Sequence, residues 1–271
     1  MPRAVLVGAD GHVAGRGEGA DVAGAARAAA GDLHVDVAGL ALFHGESGDA
    51  AIAALRGRAR RIDPVEAGGA AVVAETWCGA AKGCRHAVCL LIGDRVAAGL
   101  LLDGRVWSGA RGRAGAAAWL ALNPVERQDY RRFGSLAAEV SGKGIARRLS
   151  WRIQAGDRSA VLDRAGDLDA ITAAHVFEGA RSGDGVSISV VRDTAKYIGM
   201  AIANLAATVD PEMVVVGGPV AAAGDLLLDA VRQEAGRWLA PDMMDALRIE
   251  FSPLGGDAVA IGAARLAMTA A

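Results

Sequence analysis

The stretch IGMAIANLAATVDPEMVVVGGPVAAAGDLLLDAVR, residues 198–232, decides the fold class. It begins inside an almost wholly apolar helical run over 185–210, which Asp210-Pro211 ends because proline cannot continue a helix. The β-branched run 213–221 predicts a strand that leads into two glycines, and a helix follows over 223–238. Strand, glycine turn and helix in this order predict a parallel α/β layout.

The alternation of strands and helices continues in both directions from this stretch. Downstream, a strand is predicted over 247–254 and a final helix over 256–269. Upstream, the pattern predicts a strand at 4–7, a turn at Asp10-Gly11, a second strand, a strand-length run at 35–45, helices near 48–60, 68–82 and 170–181, and a hairpin of strands near 86–93 and 96–102.

The two halves suggest two related lobes. We expect a reduced N-terminal lobe over 1–85 and a C-terminal lobe over 86–271, with the final helix packing back on the N-terminal lobe. The basic run Arg56–Arg61 is interpreted as the end of a helix, where cations complement the helix dipole, rather than as a nucleic-acid patch.

Composition excludes several classes of partner. A formal net charge of −2 gives no electrostatic footprint for nucleic acid or for an anionic membrane. The sequence shows neither a leader pattern nor a long apolar span, so we expect a cytoplasmic protein. Cys78, Cys84 and Cys89 form an odd set whose spacing does not match a zinc site, and buried free thiols are expected.

Several segments resemble the ROK family of bacterial repressors and sugar kinases. The matching segments, in the family's order and spacing, are AETWCGAAKG (74–83), LLIGDRVAAGLLLDGRVWSGARGRAG (90–115), EVSG (139–142), AITAAHVFEGARSGD (170–184), the opening stretch, and SPLGGDAVAIGAARLA (252–267). The resemblance covers roughly 64–271. It implies a two-lobed actin-like ATPase (ribonuclease H-like) fold with a reduced N-terminal lobe.

The phosphate loop that this family uses has no clear counterpart. ROK kinases open with a strand that ends in Asp-x-Gly-Gly-Thr, which contacts the nucleotide phosphates and the metal. The sequence contains no such motif, and we expect it to begin after that strand. Asp10-Gly11-His12 is a partial alternative, but it lacks the paired glycine and the threonine.

The catalytic base that the resemblance implies is also missing. In ROK kinases it is the Asp of an Asn-Asp pair just before the helix that contains Glu75. Counting back without a gap places Glu66 and Ala67 there, and a gap places Gly68 and Gly69. Glu66 is a substitute base at best, since an acid beside a helix start needs no catalytic role.

The sugar and zinc positions differ as well. The family's Gly-Glu-x-Gly-His segment, which supplies a sugar ligand and a zinc ligand, corresponds to GAAAW at 115–119. The cysteine cluster expected between about 120 and 136 is absent from the sequence. A further sugar-binding Glu corresponds to Ala137, and Glu139, two residues on, would face elsewhere on a helix. No structural zinc is expected.

A relic nucleotide site is the one remaining candidate. Gly217 and Gly218 lie where the family packs its backbone against the nucleotide, but the favoured interpretation is that they only make the strand-to-helix turn. The family's Gly-Thr-Gly turn corresponds to Gly93, Asp94 and Arg95, and an acidic side chain at this place would repel phosphates. Arg95 could offset this repulsion or simply pair with Asp94.

The leading hypothesis is a ROK-like pseudokinase that acts as a sensor, regulator or scaffold. We expect a homodimer, with a possible protein partner, an unidentified small-molecule ligand, no direct nucleic-acid contact and no membrane. The alternative is a sugar kinase with displaced catalytic groups that uses ATP and magnesium. A protomer that completes another subunit's site is a further possibility.

Overall fold

The computed structural model describes residues 2–8, 10 and 12–270. Its strands are, in chain order, β1 (Arg3–Val7), β2 (Val13–Glu18), β3 (Val35–Leu42), β4 (Ala59–Glu66), β5 (Ala87–Ile92), β6 (Val96–Leu102), β7 (Arg105–Val106), β8 (Met213–Gly217) and β9 (Arg248–Phe251). Its α-helices are α1 (Val22–Ala30), α2 (Asp49–Leu55), α3 (Ala67–Cys78), α4 (Gln128–Phe133), α5 (Ser135–Val140), α6 (Gly142–Gln154), α7 (Ala160–Ala165), α8 (Ala173–Arg181), α9 (Gly185–Val209), α10 (Gly224–Trp238), α11 (Pro241–Ala246) and α12 (Ala258–Thr269).

The chain forms two compact units. Unit 1 comprises Met1–Leu91, Ala97–Gly115 and Ser252–Ala271, and unit 2 comprises Ile92–Val96 and Ala116–Phe251. The sequence analysis placed the end of the N-terminal lobe at residue 85, but most of β5 and β6, and also α12, lie in unit 1. Helix α12 belongs to unit 1 because it packs against α3 and β3.

Unit 1 contains two separate two-stranded sheets. Strand β1 pairs antiparallel with β2, and Leu6 lies opposite Gly15. Strand β3 pairs parallel with β4. The β6–β7 hairpin closes through Asp103 and Gly104, whose φ values of 54° and 75° match the two-residue turn that such hairpins favour.

Close backbone contacts hold α12 within unit 1. A Cβ atom added to Gly262 of α12 would lie 1.7 Å from the Ala70 carbonyl oxygen of α3. A Cβ atom added to Gly39 of β3 would lie 2.0 Å from the Ala263 carbonyl oxygen of α12. Glycine is therefore required at both positions, because a side chain would push α12 away from α3 or from β3.

Unit 2 is built around α9. The middle of this helix is buried, including Ile198 and Ile202, which are both fully inaccessible to solvent. Helix α10 packs against it, and the side chain of Glu234 lies over Gly199. Strand β8 pairs parallel with β9, so the strand–helix–strand unit that the opening stretch predicts is confirmed.

Some elements were missed and one interpretation was wrong. Helices α1 and α11 and strand β4 were not predicted. The run Arg56–Arg61 does not end a helix, because α2 stops at Leu55 and β4 begins at Ala59. The predicted turn at Asp10-Gly11 lies partly outside the described residues. Within the ranges that the structure describes, no helix combines the length and the apolar character needed to cross a membrane.

Candidate functional site

The start of α3 is where the sequence placed a substitute for the missing base. Strand β4 ends at Glu66, which is also the N-cap residue of α3. One Glu66 carboxylate oxygen accepts the backbone N–H of Gly69 at 2.7 Å. This carboxylate therefore does what helix-capping acids do, which is to satisfy a backbone donor of the first turn.

The first turn of α3 packs directly on the backbone of β6. A Cβ atom added to Gly68 would lie 2.5 Å from the Ala98 carbonyl oxygen, and one added to Gly99 would lie 1.9 Å from the Gly68 carbonyl oxygen. Ala67 is fully buried. A larger side chain cannot be placed at 67 or 68 without moving the helix away from the strand.

The four positions that could hold the base therefore offer no free carboxylate. Glu66 caps the helix, Ala67 and Gly68 are enclosed, and Gly69 is buried, with Val106 Cγ1 3.0 Å from where its Cβ would be. The sequence indicated the loss of the Asp. It did not indicate that the space for the Asp is also filled.

The turn between β5 and β6 lies in unit 2 beside the start of α6. The Gly93 carbonyl oxygen accepts the Gly142 N–H at 2.9 Å, and the Gly93 N–H donates to the Arg95 carbonyl oxygen at 2.9 Å. Pro219 Cδ would lie 3.2 Å from a Cβ atom on Gly93. The structure thus brings this turn, the start of α6 and the glycines after β8 together.

Asp94 places its charge at the N-terminus of α6. A Cβ atom on Gly142 would lie 3.3 Å from Asp94 Oδ1. Helix N-termini attract negative charge, and the Asp94 carboxylate supplies it here. A phosphate brought to the same helix end would meet this carboxylate, and like charges repel each other by about 1 kcal/mol at 4 Å in water. Asp94 therefore opposes the binding of a phosphate at this helix end.

Gly217 and Gly218 have a sufficient structural explanation. Strand β8 ends at Gly217, and Gly218 has φ of 82°, which only glycine adopts readily. A Cβ atom on Gly218 would also lie 2.5 Å from the Ile92 carbonyl oxygen. The turn between β8 and the following 3₁₀ turn needs this glycine whether or not a ligand binds.

A buried polar network occupies the segment in which zinc ligands were sought. Glu139 is almost fully buried, and its Oε1 accepts the Tyr130 hydroxyl at 2.6 Å and Arg127 Nη1 at 2.9 Å. Its Oε2 lies 3.6 Å from Arg148 Nε. Arg148 also donates to the Thr194 hydroxyl, so the network links α4, α5, α6 and α9.

The electrostatics of this network follow from its burial. Burial raises the pKa of Tyr130, and its hydrogen bond to the Glu139 carboxylate raises it further. Burial lowers the pKa of Arg148, and the nearby Glu139 carboxylate opposes that change. Paired and hydrogen-bonded charges of this kind are tolerated inside a protein. The sequence marked Glu139 only as a residue in the wrong register for sugar binding.

The segment does not fit a structural zinc ion. Residues 115–140 contain no cysteine or histidine, which are the usual ligands of such a site. Among the residues that the structure describes, no three His, Cys, Asp or Glu side chains are close enough together to hold a metal. Cys84 and Cys89 are buried, as the sequence predicted, but Cys78 is exposed, so the prediction was wrong for that thiol.

Glu75 is a second fully buried carboxylate, in unit 1. It accepts a hydrogen bond from the Ser252 hydroxyl and one from the Ala80 N–H, the latter at 3.0 Å. Burial raises its pKa, and these two hydrogen bonds only partly oppose the change. Glu75 thus joins α3 to the loop before α12 and has a structural role.

Comparison with known proteins identifies the family. The sequence profile of the ROK family matches residues 66–270, which is most of the chain. This chain belongs to the ROK family.

Two curated relatives and one solved structure are similar to this chain. The glucokinase of Halalkalibacterium halodurans is 31% identical over 194 residues, 71% of this chain and 59% of that protein. The bifunctional enzyme NanE/NanK of Brucella suis is 37% identical over 200 residues, 74% of this chain and 33% of that protein. The crystal structure of a ROK family glucokinase from Streptomyces griseus, in complex with glucose and AMPPNP, matches with a TM-score of 0.80 and 25% identity, covering 98% of this chain and 95% of that chain.

These likenesses confirm the expected fold, the actin-like ATPase fold of ROK sugar kinases. The chain spans less than two thirds of the length of both curated relatives. The segments that the sequence singled out, from Glu75 to the end of α12, fall inside the ROK match.

The Glu139 network yields a stability prediction. Replacing Glu139 with Ala leaves Arg148 buried without its carboxylate, and breaking a buried ion pair costs about 3 to 5 kcal/mol. The control is Glu126→Ala, because Glu126 pairs with Arg131 on the surface, where such pairs contribute less than about 1 kcal/mol. Urea unfolding at neutral pH measures both. Equal losses for the two variants would contradict the role assigned to Glu139.

Glu75 yields a prediction about pH. Its pKa is raised in the folded state, so the folded protein holds this proton to higher pH than the unfolded chain does. The stabilisation is present below the ordinary pKa of a Glu and is lost as pH rises toward the raised value. Glu75→Gln does not titrate. As pH rises from 4 to 7, the free energy of unfolding of the natural protein should therefore fall relative to that of Glu75→Gln. This range includes the ordinary pKa of a Glu and values above it. Parallel pH profiles of the two proteins would disprove this.

Proposed function

We propose that this ROK protein does not transfer phosphate to sugars and acts instead as a sensor, regulator or scaffold. The observation that supports this most directly is the first turn of α3. Glu66 is engaged as the helix cap, and the backbone of β6 lies against Gly68. A general base must reach the proton that it removes, and the one carboxylate of this turn, that of Glu66, is held by the Gly69 N–H.

The surroundings of Asp94 support the same proposal. Phosphoryl transfer depends on positioned positive charge around the transferred group. Here the exposed turn beside the start of α6 carries a carboxylate, which opposes the binding of phosphates. The proposal therefore includes no bound ATP or magnesium, and no structural zinc.

The second candidate is a sugar kinase in which Glu66 is the base. The position of Glu66 at the junction of β4 and α3 favours it, since this is where the ROK resemblance places the acid. For this role the carboxylate would have to leave the Gly69 N–H and uncap the helix. That movement costs about 0.5 to 2 kcal/mol, the value of a helix cap.

We also propose a homodimer. Large apolar side chains of unit 2 are exposed, among them Trp119, Val125 and Trp238, each more than half accessible to solvent. Aromatic side chains such as these tryptophans are enriched in protein–protein interfaces.

A phosphotransfer assay separates the two candidates. The protein is incubated with ATP and magnesium and with glucose, N-acetylglucosamine or N-acetylmannosamine in turn, and the Halalkalibacterium halodurans glucokinase serves as the positive control. We expect ADP formation at the rate of the sugar-free blank. Turnover that Glu66→Gln abolishes would establish the kinase reading, and turnover that survives this change would place the base elsewhere and also overturn the proposal.

A further inference from the structure

A basic region of unit 2 spans helices α4, α5 and α6. Residues 126–158 contain eight Arg or Lys residues and four Asp or Glu residues, a formal net charge of +4. The whole chain has a net charge of −2, so the rest of the chain carries −6. This region is therefore basic within an otherwise acidic protein, and such a local charge decides which partners a surface attracts.

Arginine and aromatic side chains of this region are stacked on one another. The guanidinium carbon of Arg147 lies 5.0 Å from the centre of the Trp151 ring and 5.7 Å from the centre of the Phe133 ring. That of Arg127 lies 5.2 Å from the Trp151 ring, and that of Arg132 lies 5.0 Å from the Phe133 ring. Guanidinium groups are attracted to aromatic rings at these distances, so the contacts hold the side chains in place.

The stacked side chains form one exposed surface. Phe133 is 43% exposed and Trp151 is 40% exposed. On α6, Lys143 and Arg147 precede Trp151 at intervals of four residues, which places all three on one side of the helix. We call this surface the arginine–aromatic face, and its members are Arg127, Arg132, Phe133, Lys143, Arg147 and Trp151.

The face has positive charge that its own carboxylates do not compensate. Arg147 is paired with Asp129 at 3.4 Å. Arg132 and Lys143 are exposed, and neither has an ion-pair partner within the part of the chain that the structure describes. These two cations are thus available to the carboxylates of a partner.

A second copy of this chain does not fit the face. A two-fold dimer places the same patch of both subunits in contact. Such a contact would bring Arg132 and Lys143 of one subunit close to the same cations of the other, and like charges repel. The homodimer proposed above would therefore use another surface.

A nucleic acid fits the face less well than an acidic protein does. Proteins that bind single strands stack bases on the open faces of aromatic rings, whereas guanidinium groups already lie over Phe133 and Trp151. The carboxylates of Glu126 and Asp129 are also part of this region. A peptide can place uncharged residues opposite them, but a phosphate backbone carries a charge at every nucleotide.

We propose that the arginine–aromatic face binds an acidic segment of a partner protein. Asp or Glu side chains of the segment pair with Arg132 and Lys143, and its apolar side chains pack on Phe133 and Trp151. Arg and aromatic residues are enriched in protein interfaces and contribute most of the binding energy there. The stacked groups are already held in place, which lowers the entropic cost of binding. Binding at this face does not depend on whether the protein transfers phosphate.

The test uses a designed acidic peptide as the probe. A fluorescent peptide carries a run of Glu and Asp interrupted by two Leu residues, and the matched control peptide has Gln and Asn in place of the acids. Fluorescence anisotropy measures the binding of each peptide to the whole chain.

Two double variants locate the site. Arg132→Glu with Lys143→Glu reverses the charge of the face. Arg111→Glu with Arg113→Glu makes the same change of charge on an exposed loop of unit 1, whose two arginines also lack an ion-pair partner among the described residues.

We expect the acidic peptide to bind and the amide peptide to bind at least about tenfold more weakly. The variant of the face should lose at least about tenfold in affinity, and the loop variant should bind as the natural protein does. Affinity should fall between about 0.1 M and about 1 M salt, because the Debye length shortens from about 10 Å to about 3 Å. Hydrogen exchange of the natural protein should slow in α4 and α6 when the peptide is added, and this measurement decides the matter if the variant of the face fails to fold.

Four results would overturn the proposal. The first is no binding, or protection outside α4 and α6. The second is an equal loss of affinity in the two double variants, which would indicate a response to net charge alone. The third is tighter binding of a thymidine oligonucleotide than of the peptide at this face. The fourth is a dimer of the natural protein that the variant of the face dissociates without any peptide, which would make a second copy the occupant.

Discussion

The contact between the backbone of Gly68 in α3 and the backbone of Ala98 and Gly99 in β6 constrains the rest of the candidate site. Two glycines allow the helix to approach the strand until carbonyl oxygens lie where side chains would otherwise begin. The fold gains a dense junction between α3 and β6. The same contact leaves no room for a side chain at Gly68, in the helix turn where the ROK resemblance would place the base.

Other parts of the molecule are consistent with a fold retained for its packing. Glu66 caps α3, Gly218 serves a turn that needs a positive φ, and Glu75 ties α3 to the loop before α12. Glu139 forms an internal ion pair that links several helices of unit 2. Glu66, Glu75 and Glu139 each have a structural partner, which is why the proposed function does not assign them a catalytic role.

The sequence predicted the fold where apolar patterning was strong and missed it where patterning was weak. The apolar run of α9, the stop at Asp210-Pro211 and the glycines after β8 were sufficient to place the strand–helix–strand core of unit 2. Helix α1 consists mostly of alanine, which carries little periodic signal. Strand β4 begins with arginines, and arginines are also common at the ends of helices. At the site, the lost residues were evident from the sequence. The contacts of Gly68 were not, because they join residues far apart in the chain. The partners of Glu139 were not either, because they depend on how the short helices α4, α5 and α6 pack.

The most direct test of this account is the free energy of unfolding of Gly68→Ala, measured beside Gly185→Ala. A Cβ atom on Gly68 would meet the Ala98 carbonyl oxygen at 2.5 Å, whereas one on Gly185, at the start of α9, would meet nothing within 4 Å. The account predicts a loss of about 1 to 3 kcal/mol for Gly68→Ala and no loss for Gly185→Ala, since Ala is the better helix former. Equal stability of the two variants would mean that the first turn of α3 has room for a side chain, and would contradict the account.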